Sequence, residues 1–424
     1  MNVPFARTWC ACLSILVALA SPVWAEDAAP PLTLRQAIDA ALSRNPALQA
    51  FAFEFRAQDA RAQQVALYPA PNVAFNLENA LGTGETRGTR VAESTFALSQ
   101  VLELGGKRDA RTGAAVAGRG VIETERQAAQ LDVLAEVTRR FIAVATRQEA
   151  VKLAKRAVEL AKRSVDGSER RVNAARSPHA ELDRARIALD RARLAERASS
   201  VELDTARKQL AATWGDTQAA IGDIQAELFQ LPPIGDYADL TDRLAASPDF
   251  LRFASEARLR DAELRLATTL RRPDITLGGG VRQLQASGDR ALVASVSVPL
   301  FSRSRAESFV AEAQARRNVV DAESRAALVK AQATLYELHR QLERAVSEAT
   351  ALKSDILPRT EEALRETEYA YERGRYSYLE LVDAQRESLE VQAALIEAAA
   401  NAHALRVEIE RLTNAPLISS GSQP

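Results

Sequence analysis

Apolar positions along this chain follow two alternating periods, and the changes of period mark the predicted elements. Spacings of three and four residues predict amphipathic helices, and strict alternation predicts strands. In residues 26–214 this gives helices at about 34–68, 107–175 and 178–214, and strands at about 71–80 and 93–103. Thr33 and Gln36 match a capping box at the first helix start, and Pro69 ends that helix. Ser177 as N-cap and Pro178 at the first helical position predict the start of the third helix.

The same order of elements recurs once more, which predicts a duplicated helix–β-hairpin–long helix–helix unit. The second repeat, residues 240–416, is predicted to hold helices at about 241–272, 303–373 and 377–413, and strands at about 274–283 and 290–300. Asn45-Pro46 in the first repeat corresponds to Ser247-Pro248 in the second. Residues 215–239, which contain Pro232-Pro233, are predicted to form an irregular equatorial strap between the repeats, and residues 417–424 a C-terminal tail.

The predicted strands carry an apolar phase on one side. Each strand is about ten residues long, the length that a tilted transmembrane strand needs. We expect the apolar phase to face lipid, and it consists of Phe75, Leu77, Phe96, Leu98, Ile275, Leu277, Val296 and Val298. Four strands in one chain are too few to close a barrel with a useful lumen, so the pattern predicts a homotrimer with twelve strands.

The predicted helices after each hairpin are unusually long. From 107 to 175 the sequence contains no proline, and at 1.5 Å per residue such a helix would span about 100 Å. Apolar residues form one stripe along it, and charged residues fill the other faces, as in a coiled coil. A periplasmic coiled-coil scaffold without a pore is therefore an alternative interpretation, although a rod has no need of the hairpins.

The first 25 residues have the pattern of a secretory signal peptide. Arg7 precedes a short apolar core, and small residues before the predicted cleavage site after Ala25 would leave a mature chain that begins at Glu26. Both cysteines, Cys10 and Cys12, fall inside this segment, so we expect neither a disulfide nor an N-terminal lipid anchor. No later run of 18 apolar residues follows, so membrane insertion would require strands.

Composition and candidate chemistry argue against an enzyme. The chain has 55 basic and 56 acidic residues, a balance that gives no basic footprint for nucleic acid. The three histidines, His179, His339 and His403, are isolated and lack zinc-ligand spacing. Gly278-Gly279-Gly280 lies within a predicted strand and lacks the Lys-Ser/Thr of a phosphate loop. We therefore predict no catalytic residue, no cofactor and no resident metal.

Several motifs resemble the TolC-like outer-membrane factors, the outer membrane efflux protein family. They are the Glu-Leu-Val-Asp-Ala-Gln run at 380–385, the Ala-Ala-Thr-Trp-Gly run at 211–215, the proline-ended first helix and the duplicated halves. The resemblance covers about residues 32–416. It implies a mainly α protein with transmembrane β-structure in the outer membrane of a Gram-negative cell. In that family, trimers form a twelve-stranded β-barrel continuous with a periplasmic α-helical barrel, and they contact outer-membrane lipid.

A shorter motif resembles one subfamily. Gly105, Gly106, Lys107 and Arg108 follow Glu103-Leu104 at the predicted strand-to-helix turn and look like the cobalt-zinc-cadmium efflux members. The resemblance implies a passive conduit for heavy-metal cations that works with a periplasmic adaptor (membrane fusion) protein and an inner-membrane RND transporter. Multidrug efflux or type I secretion through the same fold is an alternative. Physically, two glycines let the chain turn from strand to helix, with the two basic residues at the membrane boundary.

The turns near 176–177 and 374–377 lie farthest from the predicted strands, so we expect a resting channel to close there. Glu380 and Asp383 are spaced i and i+3 and share a helix face. Three copies would form a ring of carboxylates, an arrangement that favours cations. Glu181 and Asp183 lie at the corresponding turn of the first repeat and are further candidates for this gate. Glu380 also completes a capping box with Ser377, which is an alternative reason for its presence.

Overall fold

A computed structural model describes residues 31–218 and 221–414 of the chain. The predicted signal peptide, its cleavage site and the predicted C-terminal tail lie outside the described residues. Thirteen named elements follow in chain order. The first six are α1 (Leu34–Arg44), α2 (Pro46–Val65), β1 (Asn72–Glu78), β2 (Glu93–Leu102), α3 (Lys107–Asn173) and α4 (His179–Ala212). The others are α5 (Tyr237–Leu244), α6 (Pro248–Thr269), β3 (Ile275–Leu284), β4 (Arg290–Ser297), α7 (Ser302–Ala351), α8 (Leu357–Glu372) and α9 (Tyr378–Thr413).

Two helices predicted to be continuous are each broken into two. The predicted helix at 34–68 ends at Arg44 and restarts at Pro46, because the Asn45 side chain accepts hydrogen bonds from the backbone N–H groups of Ala47 and Leu48. Proline at the first helical position has no N–H to leave unpaired, so it favours this restart. The predicted helix at 241–272 is also broken, between the end of α5 at Leu244 and the start of α6 at Pro248, although the Ser247 side chain makes no capping hydrogen bond there.

The helix predicted at 303–373 is also interrupted, about two thirds of the way along. A π-helical turn at Leu352–Ile356 separates α7 from α8. Pro358 follows within the first turn of α8. Proline removes one backbone donor and its ring clashes with the preceding turn, and a local widening of the helix relieves both problems. The Lys353 ammonium group donates to the Phe229 carbonyl oxygen at 3.0 Å, which connects this turn to the strap.

The strands form one antiparallel sheet in the order β1-β2-β3-β4. The pairing of β2 with β3 joins the two repeats directly, with Phe96 opposite Val281 and Ala97 opposite Gly280. A Cβ atom at Gly280 would lie 2.5 Å from the Phe96 carbonyl oxygen, so this position requires glycine. β1 and β4 are the two edges of the sheet.

The main hydrophobic core lies midway along the long helices. Val137, Phe141 and Val144 of α3 pack with α1, with Leu210 of α4 and with Ile224 of the strap. A second cluster joins α7 to α9 around Leu335, Leu342, Ala402 and Leu405. The first cluster lies within the first repeat and the strap, and the second lies within the second repeat with Leu231 of the strap packed against it.

Within residues 31–218 and 221–414, no helix is both long enough and apolar enough to cross a membrane.

Candidate functional site

The turns between α3 and α4 and between α8 and α9 form the end of the molecule opposite the sheet. α3 begins next to the sheet and contains 67 residues, which corresponds to about 100 Å. α4 packs back along α3, and α9 packs against α3, α7 and α8. The four predicted gate carboxylates lie at the starts of α4 and α9, next to these turns.

Arg171, in the last turn of α3, is the centre of the first turn. Its Nε donates to the Ser177 hydroxyl at 2.9 Å, and its Nη1 donates to the Tyr371 carbonyl oxygen at 2.9 Å. Its guanidinium carbon lies 4.6 Å from the centroid of the Tyr371 ring. The Glu181 carboxylate is 3.7 Å from Arg171 Nε. One arginine thus contacts the turn, the start of α4 and the end of α8.

Tyr371 completes the same group of contacts. It is 3% exposed, its hydroxyl donates to Glu181 Oε1 at 2.7 Å, and the same hydroxyl lies 3.0 Å from the Ser168 hydroxyl. Burial, together with Glu181, raises the pKa of Tyr371 to about 12, so the hydroxyl stays neutral and can donate. Ser168, Arg171, Ser177, Glu181 and Tyr371 are called the first-turn network below. The network connects α3 and α4 of the first repeat to α8 of the second.

The start of α4 differs from the prediction. Pro178, which was expected at the first helical position, is the N-cap, and no side chain caps the helix. Ser177, the predicted N-cap, instead accepts the hydrogen bond from Arg171. The hydrogen bond from Arg171, six positions earlier, therefore takes the place of the capping hydrogen bond that serine favours at a helix start.

The second turn is organised locally. Ser377 and Glu380 form the predicted capping box: the Ser377 N–H and hydroxyl donate to Glu380 Oε2 at 2.7 and 2.8 Å, and the hydroxyl accepts from the Glu380 N–H. The hydrogen bonds from the Ser377 backbone and hydroxyl lower the pKa of Glu380. The capping interpretation of Glu380 is therefore confirmed.

The two aspartates are more open. Asp383 is 57% exposed and lies 3.3 Å from Arg386, one turn along α9. Asp183 is exposed on α4. The structure therefore brings Glu181 against the second repeat, uses Glu380 as a cap, and leaves Asp383 and Asp183 at the surface of the single chain.

The strand-to-helix turn at Gly105-Gly106 is a second ordered site. Both glycines have positive φ, at 79° and 73°. Lys107 was expected at a membrane boundary, but it is only 8% exposed, and its ammonium group lies 2.6 Å from Asp274. Asp274 also accepts from the Leu104 N–H at 3.1 Å. Lys107 therefore joins the first repeat to the start of β3, because a buried ammonium needs a charged partner.

The sheet has one apolar and one polar face. Directly opposed residues share a face, and the pairs Phe75–Phe96 and Leu277–Val296 place the predicted apolar phase on a single side. Most of that phase is well exposed, including Phe75 at 64% and Val296 at 70%; Val298 lies one residue beyond β4. On the other face, Arg282 donates to Thr95 Oγ1 at 3.0 Å and to Glu93 at 2.9 Å.

Two of the three histidines hold the strap. His339 Nε2 lies 3.0 Å from the Gly235 carbonyl oxygen, and His403 Nε2 lies 3.0 Å from that of Leu228. Burial lowers the pKa of His403, which keeps its ring neutral. Among residues 31–218 and 221–414, no cluster of three or more histidine, cysteine or acidic residues is placed to hold a metal ion.

Sequence reasoning missed Ser168, Arg171 and Tyr371. Each looks like an ordinary helix residue, and Tyr371 is separated from its partner Glu181 by 190 positions. The weak signal was that an arginine in the last turn of α3 and a tyrosine in the last turn of α8 both lie beside a predicted turn. Only the packing of α8 on α3 makes them neighbours.

The fold is that of an outer-membrane channel. The open-state MtrE outer membrane channel of Neisseria gonorrhoeae superposes with a TM-score of 0.70 at 20% identity, over 91% of this chain and 89% of MtrE. Residues 37–216 match the family described as outer membrane efflux protein.

Two relatives are similar over most of their length. The cobalt-zinc-cadmium resistance protein CzcC of Cupriavidus metallidurans is 28% identical over 367 residues, 86% of each chain. The nickel-cobalt-cadmium resistance protein NccC of Alcaligenes xylosoxydans xylosoxydans is 25% identical over 328 residues, 75% of this chain and 73% of NccC. The resemblance to the outer membrane efflux protein family inferred from the motifs is thereby confirmed.

Proposed function

We propose that this chain is the outer-membrane channel subunit of a tripartite RND-type efflux system that exports heavy-metal cations such as cobalt, zinc or cadmium. It acts as a passive conduit and performs no chemistry. The observation that carries the proposal is the similarity to a cobalt-zinc-cadmium resistance protein along 86% of both chains. A periplasmic adaptor and an inner-membrane RND transporter complete the system. Export through a signal peptide cleaved after Ala25, without a lipid anchor, is part of the proposal.

The working assembly is a homotrimer. Each chain contributes a four-stranded sheet whose edges, β1 and β4, are open. Pairing of β4 in one copy with β1 in the next closes a twelve-stranded barrel and removes both edges. The apolar face then contacts outer-membrane lipid, and the polar face with Arg282 and Glu93 lines the lumen. The long helices continue the conduit through the periplasm.

The barrel is tested by two arginine substitutions on adjacent residues of β3. Leu277→Arg places a charge on the apolar face, and we expect a loss of assembly. The cost would be about 2–4 kcal/mol at the bilayer midplane and smaller towards the boundary where β3 begins. Thr276→Arg, on the polar face, is the matched control and should assemble like the parent. Folding yield in outer-membrane fractions measures both, and equal tolerance of the two variants would show that the faces are assigned the wrong way round.

The periplasmic end of the helices is the proposed gate. Asp383 and Glu380 of three copies form a carboxylate ring at the tunnel mouth, with Glu181 and Asp183 of the first repeat beside them. The exposure of Asp383 supports a role in the lumen, because its surface position has no packing function in the single chain. The first-turn network holds the turns of the two repeats together in the closed state.

Planar-bilayer conductance of the purified protein tests the ring. Asp383→Ala should raise conductance or weaken block by divalent cations, because a ring of carboxylates attracts cations. Glu380→Gln should add to the effect on block while keeping the helix cap, since glutamine also serves in a capping box. Parent-like conductance and block in both variants would remove these carboxylates from the constriction.

The cargo is tested by deleting the gene and returning it on a plasmid. Loss of the channel should increase sensitivity to cobalt, zinc or cadmium, and the parent gene should restore resistance. Unchanged metal sensitivity with new drug sensitivity would favour multidrug efflux, and a secretion defect would favour type I secretion. Absence of the protein from the outer-membrane fraction would favour a periplasmic scaffold.

A further inference from the structure

The end of the sheet that meets the helices carries exposed apolar side chains just beyond the strands. Four chain segments reach this end, because β1 and β3 begin there and β2 and β4 end there. Leu67 and Tyr68, before β1, are 68% and 69% exposed. Leu104 and Leu300 continue the apolar phase of β2 and β4 past the strand ends and are also exposed.

Phe301 stands at this end at a backbone position that favours glycine. It is the N-cap of α7 and has a φ of 61°, whereas the N-cap of α3 in the first repeat is Gly106, with a φ of 73°. A bulky residue rarely adopts positive φ, and the conformation costs free energy. The Phe301 side chain is nevertheless 79% exposed, so packing within the chain does not account for an aromatic residue here.

Arginines accompany these apolar side chains at the same end. Arg108 lies over the Tyr68 ring, with its guanidinium carbon 4.4 Å from the ring centroid. Arg271 and Arg272 precede β3, and Arg303 and Arg305 open α7; all four are exposed. Within residues 31–218 and 221–414, none of these four lies within ion-pair distance of a carboxylate.

We propose that this belt, made of Leu67, Tyr68, Leu300, Phe301 and the four exposed arginines, binds the headgroups of anionic phospholipids. The inference rests on the proposed function, which places this end of the sheet at the periplasmic surface of the outer membrane. Aromatic side chains favour the boundary between acyl chains and headgroups. Guanidinium groups form bidentate hydrogen bonds with phosphate. No carboxylate of the described residues competes with phosphate for these four arginines. Charge complementarity therefore selects an anionic headgroup.

The test uses native mass spectrometry of the full-length protein, purified in detergent and titrated with phosphatidylglycerol or phosphatidylethanolamine. The parent should retain phosphatidylglycerol at lower lipid concentration. Arg303→Gln with Arg305→Gln should weaken that retention by about fivefold for each arginine that contacts a headgroup. Retention of phosphatidylethanolamine should weaken less, because this lipid has the same phosphate but no net charge. The preference should also decline with added salt.

Arg87→Gln with Arg90→Gln is the matched control, since these exposed arginines lie in the loop at the opposite end of the sheet. The control should retain lipid like the parent. Arg271→Gln with Arg272→Gln provides a second variant on a different segment if the first does not fold. Phe301→Gly should relieve the backbone strain and still weaken lipid retention.

Equal retention of the two lipids by the parent would overturn the inference, and so would a loss in the control as large as in the variants. A crosslink between two copies of the chain from position 301 would also overturn the inference, because Phe301 would then contact a neighbouring copy and not lipid. Fractionation tests the proposed function separately: a parent found in the outer membrane but without lipid preference overturns this inference alone.

Discussion

Glu181 and Glu380 occupy the same position in the two repeats but act in different ways. Each is the third residue of its helix, after the N-caps Pro178 and Ser377. Ser377 has both an N–H and a hydroxyl, so Glu380 is bound within its own turn. Proline has neither group, so the first turn cannot bind Glu181 in this way, and Glu181 accepts instead from Tyr371 of the other repeat.

The difference shows that one N-cap residue decides whether an acidic side chain stabilises its own helix or couples two repeats. In the second turn the bonds of Glu380 span three positions, so they form wherever that helix forms. In the first turn they require α8 to lie against α3 and α4. The first turn is therefore the one whose structure responds to movement of α8, which begins directly after the proline-associated π-helical turn.

The largest expected effect comes from removing Arg171, because it contacts every part of the first turn. Arg171→Ala should destabilise the folded protein by about 2–3 kcal/mol, the range for lost hydrogen bonds to a charged group. Thermal unfolding and tryptic cleavage at the exposed Arg176 measure the change. Arg375→Ala, at an exposed arginine in the second turn, is the control and should stay within about 0.5 kcal/mol of the parent. Equal losses in the two variants would contradict the comparison.

A smaller effect on stability is expected when the N-cap of the first turn, Pro178, is replaced by serine, the N-cap residue of the second turn. Pro178→Ser supplies an N–H and a hydroxyl next to Glu181, and the new cap should stabilise α4 by about 1 kcal/mol. Glu181 should then turn towards its own helix and leave Tyr371. Because Glu181 contributes to the raised pKa of Tyr371, that pKa should fall below its present value of about 12.

Tyrosinate absorbance during an alkaline titration measures this change, and Tyr371→Phe identifies which of the seven tyrosines contributes the signal. A Tyr371 titration that Pro178→Ser leaves unchanged would mean that proline is not the reason for the behaviour of Glu181.

Changes of pH should act with opposite signs in the two turns. The pKa of Glu380 is lowered in the folded state, so its contribution to stability is present above its ordinary value of 4.5 and is lost as pH falls through the folded value. The pKa of Tyr371 is raised from 10.0 to about 12, so its contribution is present below pH 10 and is lost as pH rises through about 12.

Unfolding by urea across the pH range measures both losses. Glu380→Gln should remove the part of the acid-side loss that comes from the cap, because glutamine does not titrate, and Tyr371→Phe should remove its part of the alkaline-side loss. Glu380→Gln should leave the alkaline side unchanged. If a single variant changed both the acid-side and the alkaline-side loss of stability, the two turns would not be independent.

Local patterns in the sequence were sufficient for the capping boxes at Thr33 and Ser377 and for the strand residues that share a face. Thr33 with Gln36 and Ser377 with Glu380 are confirmed as capping boxes because their hydrogen bonds depend only on an i, i+3 spacing. The apolar phase of the strands lies on one face of the sheet, because side chains alternate with a period of two in any strand. Both features follow from backbone geometry alone.

Breaks within the long helices were harder to predict from the sequence. The restart at Asn45-Pro46 carries a clear N-cap signal, yet the apolar period continues across it and suggests one helix. The π-helical turn before Pro358 has no periodicity of its own, because one widened turn shifts the pattern by a single residue. Helical period is therefore a good guide to helix type and a poor guide to helix ends.

The sequence by itself determined the type and order of the elements and the capping boxes at Thr33 and Ser377, since these depend on neighbours within a few positions. Only the tertiary structure decided that Lys107 is buried against Asp274, that Ser177 binds Arg171, and that Tyr371 binds Glu181. Packing of one repeat on the other brings Lys107 to Asp274 and Tyr371 to Glu181, whereas Ser177 binds Arg171 six positions earlier, across its own turn. A charged or polar group in such a place takes the partner that packing supplies, because burial without a partner costs more than any local preference gains.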